Sequence, residues 1–280
     1  MNGTDLSGKV AIVTGGGRGL GRAMTLALAG AGAKVVAAMH IAEDLEPLKA
    51  DAAGIPGDGA VHAMLADIRD PDSCAQVVET AMDEFGGLHV LVNNAGVGML
   101  LFNDNYTKEP TKFWQAAVEP VRTLIETNYF GPFLMAREAM PHMLKQGWGR
   151  IINVTTSIPT MQRPGYFPYG PTKAGFEAAS RVWAGDVEGT GVTVNILIPG
   201  GATDTNILPG RLGDKTRSGA DGKLLEPEVM AAPVCWLASD ASDGINGMRI
   251  IGEKWDLSIG ADAAAKGAMA PAGFEPRASG

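Results

Sequence analysis

The stretch of sequence that decides the fold is Val10-Ala11-Ile12-Val13-Thr14-Gly15-Gly16-Gly17-Arg18-Gly19-Leu20-Gly21. Its first residues form a short apolar run, which predicts a buried strand over 10–13. The glycines predict a tight turn, and helical spacing predicts a helix over 22–29. Between a strand and a helix, glycines let the backbone approach a pyrophosphate closely, and unpaired N–H groups at the helix start favour its negative charge. The stretch therefore predicts a dinucleotide-binding turn, with a tight turn that binds nothing as the alternative.

The rest of the chain repeats this alternation of short apolar runs and helical segments. Strands are predicted over residues 10–13, 35–38, 61–65, 90–92, 151–154, 192–198 and 248–251, and helices over 22–29, 72–85, 136–144 and 173–187. Strands that alternate with helices are typical of parallel sheets, because a crossover helix returns the chain to the same end of the sheet. The predicted fold is therefore α/β, a doubly wound parallel sheet of about seven strands with helices on both faces.

The predicted domain organisation is a single domain over residues 1–260, followed by a C-terminal extension over 261–280. No linker rich in Pro, Ser or charge divides the 280 residues, and no internal repeat appears. The stretch at about 97–124 does not fit the alternation and is interpreted as a substrate-loop insertion over a site. The extension is rich in Ala, Gly and Pro, so it is predicted to be a loose arm.

The composition argues against several classes of protein. The 23 Lys and Arg residues against 31 Asp and Glu residues give a net charge of −8, which disfavours binding to nucleic acid or to an anionic membrane. Cys74 and Cys235 lie far apart without a CxxC spacing, which excludes a zinc knuckle and indicates a reducing compartment. The 4 histidines are too scattered for a metal site, and no GxSxG motif is present. With neither a signal peptide nor a membrane-length apolar run, a soluble cytoplasmic protein without a metal is predicted.

Three further motifs follow the glycine turn in order. They are Asn93-Asn94-Ala95-Gly96 at the end of the fourth predicted strand, Tyr169-Gly170-Pro171-Thr172-Lys173, and Pro199-Gly200 after the sixth strand. Together with the GxxxGxG spacing of Gly15, Gly19 and Gly21, this order resembles the short-chain dehydrogenase/reductase family over roughly residues 9–252. The resemblance implies a Rossmann-type fold and an NAD(P)-dependent oxidoreductase acting on CH–OH or C=O groups. It also implies a small-molecule carbonyl or alcohol substrate and a homo-oligomer, either a dimer or a tetramer.

The same resemblance implies which residues bind the dinucleotide. They are Gly15, Gly17, Arg18, Gly19, Leu20, Gly21, Met39, His40, Asp67, Ile68, Asn94, Ala95, Gly96, Tyr169, Lys173, Pro199, Gly200, Ala202 and Thr205. Asp67 matches the family aspartate that contacts the adenine, and its alternative role is a helix cap. Thr205 lies one residue later than the usual cofactor-contacting threonine.

The end of the second predicted strand bears on the choice between NAD and NADP. An NAD-preferring enzyme usually has Asp or Glu there, which binds the adenosine ribose and repels a 2′-phosphate. Here the position is Met39, followed by His40, and Arg18 is available to a phosphate. The sequence therefore favours NADP, with NAD as the alternative, although Glu43 and Asp44 nearby weaken the positive field.

Tyr169 and Lys173 are the predicted catalytic pair. They are four residues apart, so on a helix both side chains lie on one face. The pKa of free tyrosine is about 10, but a neighbouring ammonium group and the positive nicotinamide favour the phenolate. Tyr169 is therefore predicted to be the general acid/base. The resemblance implies that Lys173 also binds the nicotinamide ribose. It further implies that Asn128 kinks its helix and holds a proton-relay water beside the lysine.

A hydroxyl group must also hold the substrate carbonyl, and two candidates follow the fifth predicted strand. The family serine lies three residues after the asparagine of that strand, here Asn153, and thirteen before the tyrosine, and both counts reach Thr156. Residue type favours Ser157, one position later. Ser157 is the preferred candidate, because a short loop deletion before Tyr169 is easily tolerated, and Thr156 is the alternative.

The substrate pocket is expected where apolar residues accumulate. These are Met99, Leu100, Leu101, Phe102, Phe113 and Trp114, together with Ile207 and Leu208 after Pro199. They indicate an apolar or aromatic ketone or secondary alcohol, with helix packing or an oligomer interface as the alternative role. The sequence thus predicts a carbonyl reductase or alcohol dehydrogenase. The rival hypothesis is a non-catalytic NADP-binding sensor or interaction module.

Overall fold

The structure is a computed structural model, and it describes residues 4–210 and 224–273 of the chain. Its strands are β1 (Val10–Thr14), β2 (Lys34–Met39), β3 (Ala60–Leu65), β4 (Val90–Asn93), β5 (Gly149–Val154), β6 (Val192–Ile198), β7 (Met248–Ile251) and β8 (Met269–Pro271). They form one sheet in the order β3-β2-β1-β4-β5-β6-β7-β8. Strands β1 to β7 are parallel, and β8 runs antiparallel to β7. The prediction of a doubly wound, mainly parallel α/β sheet is confirmed.

Helices connect the strands and cover both faces of the sheet. Among the described residues they are α1 (Gly19–Gly30), α2 (Leu45–Ala52), α3 (Pro71–Phe85), α4 (Val118–Ile125), α5 (Gly131–Gln146), α6 (Ile158–Met161), α7 (Tyr169–Asp186), α8 (Ala231–Leu237) and α9 (Ala261–Ala268). No helix within residues 4–210 and 224–273 combines the length and the apolar character needed to cross a membrane.

One helical stretch is much longer than the sequence predicted. A π-helical turn, Glu126–Phe130, joins α4 to α5, so the chain stays helical from residue 118 to residue 146. The predicted helix over 136–144 is too short, because the π turn interrupts the 3.6-residue spacing on which the prediction relied. Most of α4 therefore falls within the stretch that was interpreted as a substrate-loop insertion.

Two apolar clusters pack against the sheet. Along β1, Ala11 and Val13 belong to one cluster and Val10 and Ile12 to the other, as the two-residue period of a strand requires. The first cluster includes residues of α1, α8 and α9, and the second includes residues of α3, α5 and the end of α7. Because both faces of β1 are covered, every residue of this strand is buried.

The strand order reverses at β1, and this determines where a ligand binds. Strands β2 and β3 lie on one side of β1, whereas β4 to β8 lie on the other. The loops after β1 and β4 therefore diverge and open a crevice at the carboxyl ends of the strands, where α/β sheets bind ligands. The glycine turn follows β1, and Asn93 ends β4, so two of the sequence motifs meet at this crevice.

The C-terminal segment belongs to the fold, and the prediction of a loose arm from residue 261 is wrong for the described residues up to 273. Helix α9 buries Ala264, Ala265 and Ala268, and Asp262 accepts a hydrogen bond of 2.8 Å from the indole of Trp236. Strand β8 then pairs with β7, which adds one strand to the seven predicted. The loose arm was predicted because the segment is rich in small residues, but the same small side chains let a helix pack closely on a core.

Candidate active site

The glycine turn after β1 contains contacts that only glycine allows. Gly15 and Gly19 have φ angles of +64° and +52°, in the left-handed region that other residues rarely adopt. Gly19, Leu20 and Gly21 form the start of α1, and a Cβ atom on Gly21 would lie 2.0 Å from the carbonyl oxygen of Gly15. Within the described residues, no side chain caps α1 at Arg18, so the first N–H groups of the helix are available to a phosphate.

Hydrogen bonds fasten this turn to the end of β4. The hydroxyl of Thr14 accepts bonds of 3.0 Å from the backbone N–H groups of Asn94 and Ala95. The side-chain amide of Asn94 donates to the carbonyl oxygens of Thr14, at 2.9 Å, and Gly15, at 3.3 Å. Asn94 therefore fixes the spacing of the two loops, and Gly96 is exposed at the end of the motif.

Tyr169 begins α7, and its phenol forms a hydrogen bond with the side chain of Thr156 in the loop after β5. Burial raises the pKa of Tyr169 to about 12, and the hydrogen bond with Thr156 opposes this rise. The sequence predicted that the ammonium group of Lys173 would favour the phenolate, but in this structure burial dominates. The folded site thus keeps the phenol protonated at neutral pH, as a proton donor requires.

Ser157, the hydroxyl preferred from the sequence, has a different task. It is the N-cap of α6, where its hydroxyl lies 2.9 Å from that of Thr160 and accepts a bond of 3.4 Å from the Thr160 N–H group. Serine suits this position, because its oxygen satisfies a free N–H group in the first helical turn. In this structure the hydroxyl that contacts Tyr169 is therefore that of Thr156, the position that counting from Asn153 and Tyr169 also reaches, and which of the two acts on the substrate stays a prediction.

Lys173 lies one helical turn after Tyr169, and its side chain is almost entirely buried. Its ammonium group donates a hydrogen bond of 2.9 Å to the carbonyl oxygen of Val154 at the end of β5. Burial lowers the pKa of Lys173 to about 8, because a desolvated ammonium group is disfavoured. A Cβ atom on Gly96 would lie 3.6 Å from the Lys173 Nζ, so the amine is close to the loop after β4.

Asn128 occupies the π-helical turn between α4 and α5 and is fully buried. Its side chain accepts a hydrogen bond of 2.8 Å from the N–H group of Val97 and donates one of 2.9 Å to the Val97 carbonyl. A Cβ atom on Gly96 would lie 3.2 Å from the Asn128 Oδ1, which places Asn128 and Lys173 beside the same loop. The helix is irregular at Asn128, as predicted, and the proton-relay water stays a prediction.

At the opposite end of the crevice, Met39 and Asp44 lie against Gly17. A Cβ atom on Gly17 would lie 2.7 Å from both the Met39 sulfur and the Asp44 Cβ. Arg18, a predicted phosphate ligand, is already paired with a carboxylate, because Asp44 holds it through two hydrogen bonds, Nε to Oδ2 at 2.5 Å and Nη2 to Oδ1 at 2.7 Å. His40, the other predicted phosphate ligand, is exposed.

Asp67 and Ile68 follow β3 near this end of the crevice. The guanidinium group of Arg69 hydrogen-bonds the Asp67 carboxylate at 2.6 Å and holds the pKa of Asp67 below its usual value. The alternative role of Asp67 as a helix cap is wrong, because Asp70 is the N-cap of α3. Ile68 is buried and packs against Gly131 at the start of α5.

The loop after β6 approaches the glycine turn from across the crevice. Pro199, Gly200 and Ala202 are partly exposed along its first half. Thr205 follows, and a Cβ atom on Gly19 would lie 3.1 Å from the Thr205 methyl group. The structure therefore brings Thr205 beside the predicted dinucleotide-binding turn despite its shifted position in the sequence.

A buried ion pair behind the site was missed by the sequence analysis. Glu177 on α7 is fully buried and pairs with Arg249 on β7. One Glu177 oxygen accepts a hydrogen bond of 2.9 Å from the hydroxyl of Thr155, and the other accepts one of 3.1 Å from the N–H group of Gly273. The sequence held one signal for it, an acidic residue four positions after Lys173 and so on the same helix face.

Aromatic rings are exposed near Tyr169 in the chain. Phe167 precedes it by two residues and meets Phe113 edge to face, with ring centroids 6.4 Å apart. Phe113 in turn meets Trp114 at 5.1 Å, and the Trp114 side chain is 70% exposed. Two of these three rings come from the stretch that the sequence analysis assigned to the substrate pocket.

Comparison with known proteins agrees with this geometry. A family model described as short chain dehydrogenase matches residues 9–213. The chain is a short-chain dehydrogenase/reductase. A short-chain type dehydrogenase/reductase from Picea abies is 36% identical over 86% of this chain and 89% of its own length. The 3-oxoacyl-[acyl-carrier-protein] reductase FabG of Thermotoga maritima is 32% identical over 91% of this chain and 99% of its own length.

A solved structure shares the fold of this short-chain dehydrogenase/reductase. A dehydrogenase/reductase from Sinorhizobium meliloti 1021 superposes with a TM-score of 0.74 and is 30% identical, covering 87% of this chain and 92% of that chain. Members of the family are oxidoreductases that use NAD(P), and the crevice fits such a group. A Cβ atom on Gly15 would lie 2.9 Å from the Ala95 Cα, so any side chain there would close the gap between the two loops.

Proposed function

We propose that the protein is an NAD(P)-dependent carbonyl reductase or alcohol dehydrogenase that interconverts a ketone and a secondary alcohol. The observation that carries the proposal is the hydrogen bond between Tyr169 and Thr156, with Lys173 buried one helical turn away. Two hydroxyl groups that meet at one point are what a carbonyl oxygen needs, one to orient it and one to protonate it. A sensor that only binds NADP would require neither group.

Each residue of the site has a defined task in this reaction. The nicotinamide ring, when bound, supplies or accepts the hydride. Tyr169 gives a proton to the carbonyl oxygen during reduction and takes one from the hydroxyl group during oxidation. Thr156 holds the same oxygen through its hydroxyl, and Lys173, anchored on Val154, provides positive charge beside the ribose site. Asn128 keeps the loop after β4 in place through its two backbone hydrogen bonds.

For the substrate, we propose an apolar or aromatic ketone or the corresponding secondary alcohol. The exposed rings of Phe113, Trp114 and Phe167 support this choice, because they offer apolar surface close to Tyr169 in the chain. Several relatives are named 3-oxoacyl-[acyl-carrier-protein] reductases. A 3-oxoacyl thioester, which also carries an apolar chain next to a ketone, is therefore the competing substrate.

For the cofactor, we propose NADP, because the end of β2 offers the buried side chain of Met39 in place of a carboxylate. The second support, a cationic Arg18, is weakened by the ion pair with Asp44. NAD is therefore a direct competitor at this site.

We further propose a cytoplasmic homo-oligomer, a dimer or a tetramer, with neither nucleic acid nor membrane as partner. Its support is a set of exposed apolar side chains on α4, the π turn, α5 and α7. The set consists of Val118, Ile125, Tyr129, Phe130, Phe133 and Val182. Apolar surface of this kind is often covered by a partner subunit. The acidic composition and the free cysteines support the cytoplasmic location.

The test begins with titration of the purified protein with NADPH and NADH, followed by nicotinamide fluorescence. A panel of aromatic ketones, alicyclic ketones and a 3-oxoacyl thioester is then added. We expect ketone-dependent oxidation of the cofactor, reduced by about 10²–10⁴-fold in Tyr169→Phe with dinucleotide binding retained. Full activity in Tyr169→Phe would refute the mechanism, and binding without turnover on any ketone or alcohol would favour the sensor.

A further inference from the structure

A carboxylate reaches the adenosine end of the crevice from an unexpected place in the chain. The end of β2 presents Met39, whose sulfur lies against Gly17. Asp44, at the end of the short 3-10 helix Ala42–Asp44, returns to the same glycine. Because one Cβ atom on Gly17 would lie 2.7 Å from both the Met39 sulfur and the Asp44 Cβ, Asp44 lies beside the end of β2, where NAD-preferring enzymes usually carry a carboxylate.

Asp44 uses both of its oxygens to bind Arg18. The two bonds, of 2.5 Å and 2.7 Å, form the parallel arrangement that gives guanidinium–carboxylate pairs their strength. The Asp44 side chain is 15% exposed and that of Arg18 is 39% exposed, so solvent screens the pair only in part. The pair carries no net charge, and Asp44 occupies the Nε and Nη2 donors of Arg18, which leaves the Nη1 end of the guanidinium group for a second anion.

Other arginines near this edge of the sheet are engaged in the same way. Arg22 pairs with Asp51, and Arg69 pairs with Asp67. His40, which follows β2, is exposed. Arg18 is the arginine within the glycine turn itself, and its ion pair with Asp44 neutralises its charge.

We propose that Asp44 sets the cofactor selectivity of the enzyme through this ion pair. The inference rests on the proposed function, since it concerns the adenosine end of the same dinucleotide crevice. A 2′-phosphate brings about two negative charges at neutral pH, so Asp44 repels it, and Arg18, already neutralised by Asp44, attracts it less. NAD has a hydroxyl group in place of that phosphate and meets neither cost. Asp44 therefore reduces the preference for NADP(H) over NAD(H) that the absence of a carboxylate at the end of β2 would otherwise give.

The test is the ratio of NADPH to NADH affinity in Asp44→Asn, measured by nicotinamide fluorescence and by calorimetry. Asparagine keeps the size of the side chain and removes its charge, so Arg18 is released to meet a phosphate. We expect the ratio to rise roughly tenfold, the effect of one charge-assisted hydrogen bond. Adding Arg18→Ala to Asp44→Asn removes this gain, because the released cation is then absent. Asp44→Ser serves as a second variant if the asparagine disturbs the fold.

Asp51→Asn is the matched control. It makes the same change of charge, and it breaks the pair with Arg22, one helical turn further along α1 from the glycine turn. The affinity ratio in this variant should equal that of the wild type. An unchanged or lower ratio in Asp44→Asn, or an equal rise in Asp51→Asn, would overturn the role of Asp44.

Two adenosine fragments, 2′,5′-ADP and 5′-ADP, separate failure of this inference from failure of the proposed function. Neither fragment contains nicotinamide, so their binding does not depend on the reaction. If both bind the wild type but their affinity ratio does not respond to Asp44→Asn, the inference about Asp44 fails and the dinucleotide site stands. If neither the fragments nor the dinucleotides bind the wild type, the inference and the proposed function fall together.

Discussion

The two neighbouring hydroxyl groups after β5 should respond to mutation in opposite ways. Thr156→Val keeps the branched shape and removes the hydroxyl that hydrogen-bonds Tyr169. Loss of one donor to a carbonyl oxygen costs about 10²–10³ in kcat. Because that hydrogen bond also restrains the pKa of Tyr169, its loss moves this pKa further up. We therefore expect a fall in kcat of this size, with little change in thermal stability.

Ser157→Ala should instead affect stability. Ser157 contacts Thr160 with its hydroxyl and caps α6, a helix of only 4 residues. Loss of an N-cap costs about 1 kcal/mol, which for a chain of this size lowers Tm by about 2–4 °C. The catalytic rate should stay close to that of the wild type, because the cap does not contact Tyr169 in this arrangement.

The assay is steady-state reduction of the best ketone of the panel, with Tm measured for the same preparations. Thr156→Ser is the conservative control, since it keeps the hydroxyl that Thr156→Val lacks and should retain most of the wild-type rate. The reasoning is refuted if Ser157→Ala loses activity by about 10²-fold while Thr156→Val retains it. That outcome would mean that the loop after β5 rearranges when substrate binds and presents Ser157 to the carbonyl oxygen.

Burial, ion pairing and close backbone contact each give a further measurable expectation. The pKa of Lys173 is about 8 in the folded chain and 10.5 for the free side chain, so between pH 8 and pH 10.5 the unfolded chain binds more protons than the folded chain. The stability of the wild type should therefore rise relative to Lys173→Met between these two pH values and run parallel to it at lower pH, as urea unfolding at a series of pH values will show. Glu177→Gln leaves Arg249 buried beside a neutral group and should lower the free energy of unfolding by about 3–5 kcal/mol. Adding Arg249→Met should restore part of this loss, and the absence of any recovery in the double variant would contradict the ion-pair explanation. Gly21→Ala places a Cβ atom 2.0 Å from backbone and should weaken dinucleotide binding by roughly tenfold or more in fluorescence titration, whereas Gly30→Ala, with open space around it on the same helix, should retain binding.

The parts of the fold that the sequence predicted well are those that local patterns determine. The seven predicted strands correspond to β1 to β7, because buried parallel strands are short apolar runs that stand out between polar loops. The spacing of Tyr169 and Lys173 allowed them to share one helix face, and α7 contains both, although the predicted helix began only at residue 173. The same reasoning failed for β8, since a strand of 3 residues with the sequence Met-Ala-Pro is too short to show any period.

The parts of the site that could not be predicted depend on contacts between distant segments. The role of Ser157 as a helix cap depends on the existence of α6, and a helix of 4 residues is too short for the sequence to predict. The ion pair of Arg18 with Asp44 joins residues that are 26 positions apart, one before β2 and one after it in the chain. Glu177 likewise meets Gly273 across 96 positions. Each of these pairs is set by packing in three dimensions, and a single sequence carries no periodic signal for it.

The protonation state that burial gives to the site bears on the reaction it is prepared to perform. Reduction of a ketone needs a phenol that still holds its proton, and burial already keeps Tyr169 in that form. Oxidation of an alcohol needs the phenolate, which burial disfavours and which only a nearby positive charge can restore. The ammonium group of Lys173 donates to Val154 and, with its pKa lowered to about 8, keeps most of its charge at neutral pH, yet burial still holds the Tyr169 phenol in its protonated form. The residues of the chain by themselves therefore prepare the site for reduction, and oxidation depends on positive charge that a bound oxidised nicotinamide would bring.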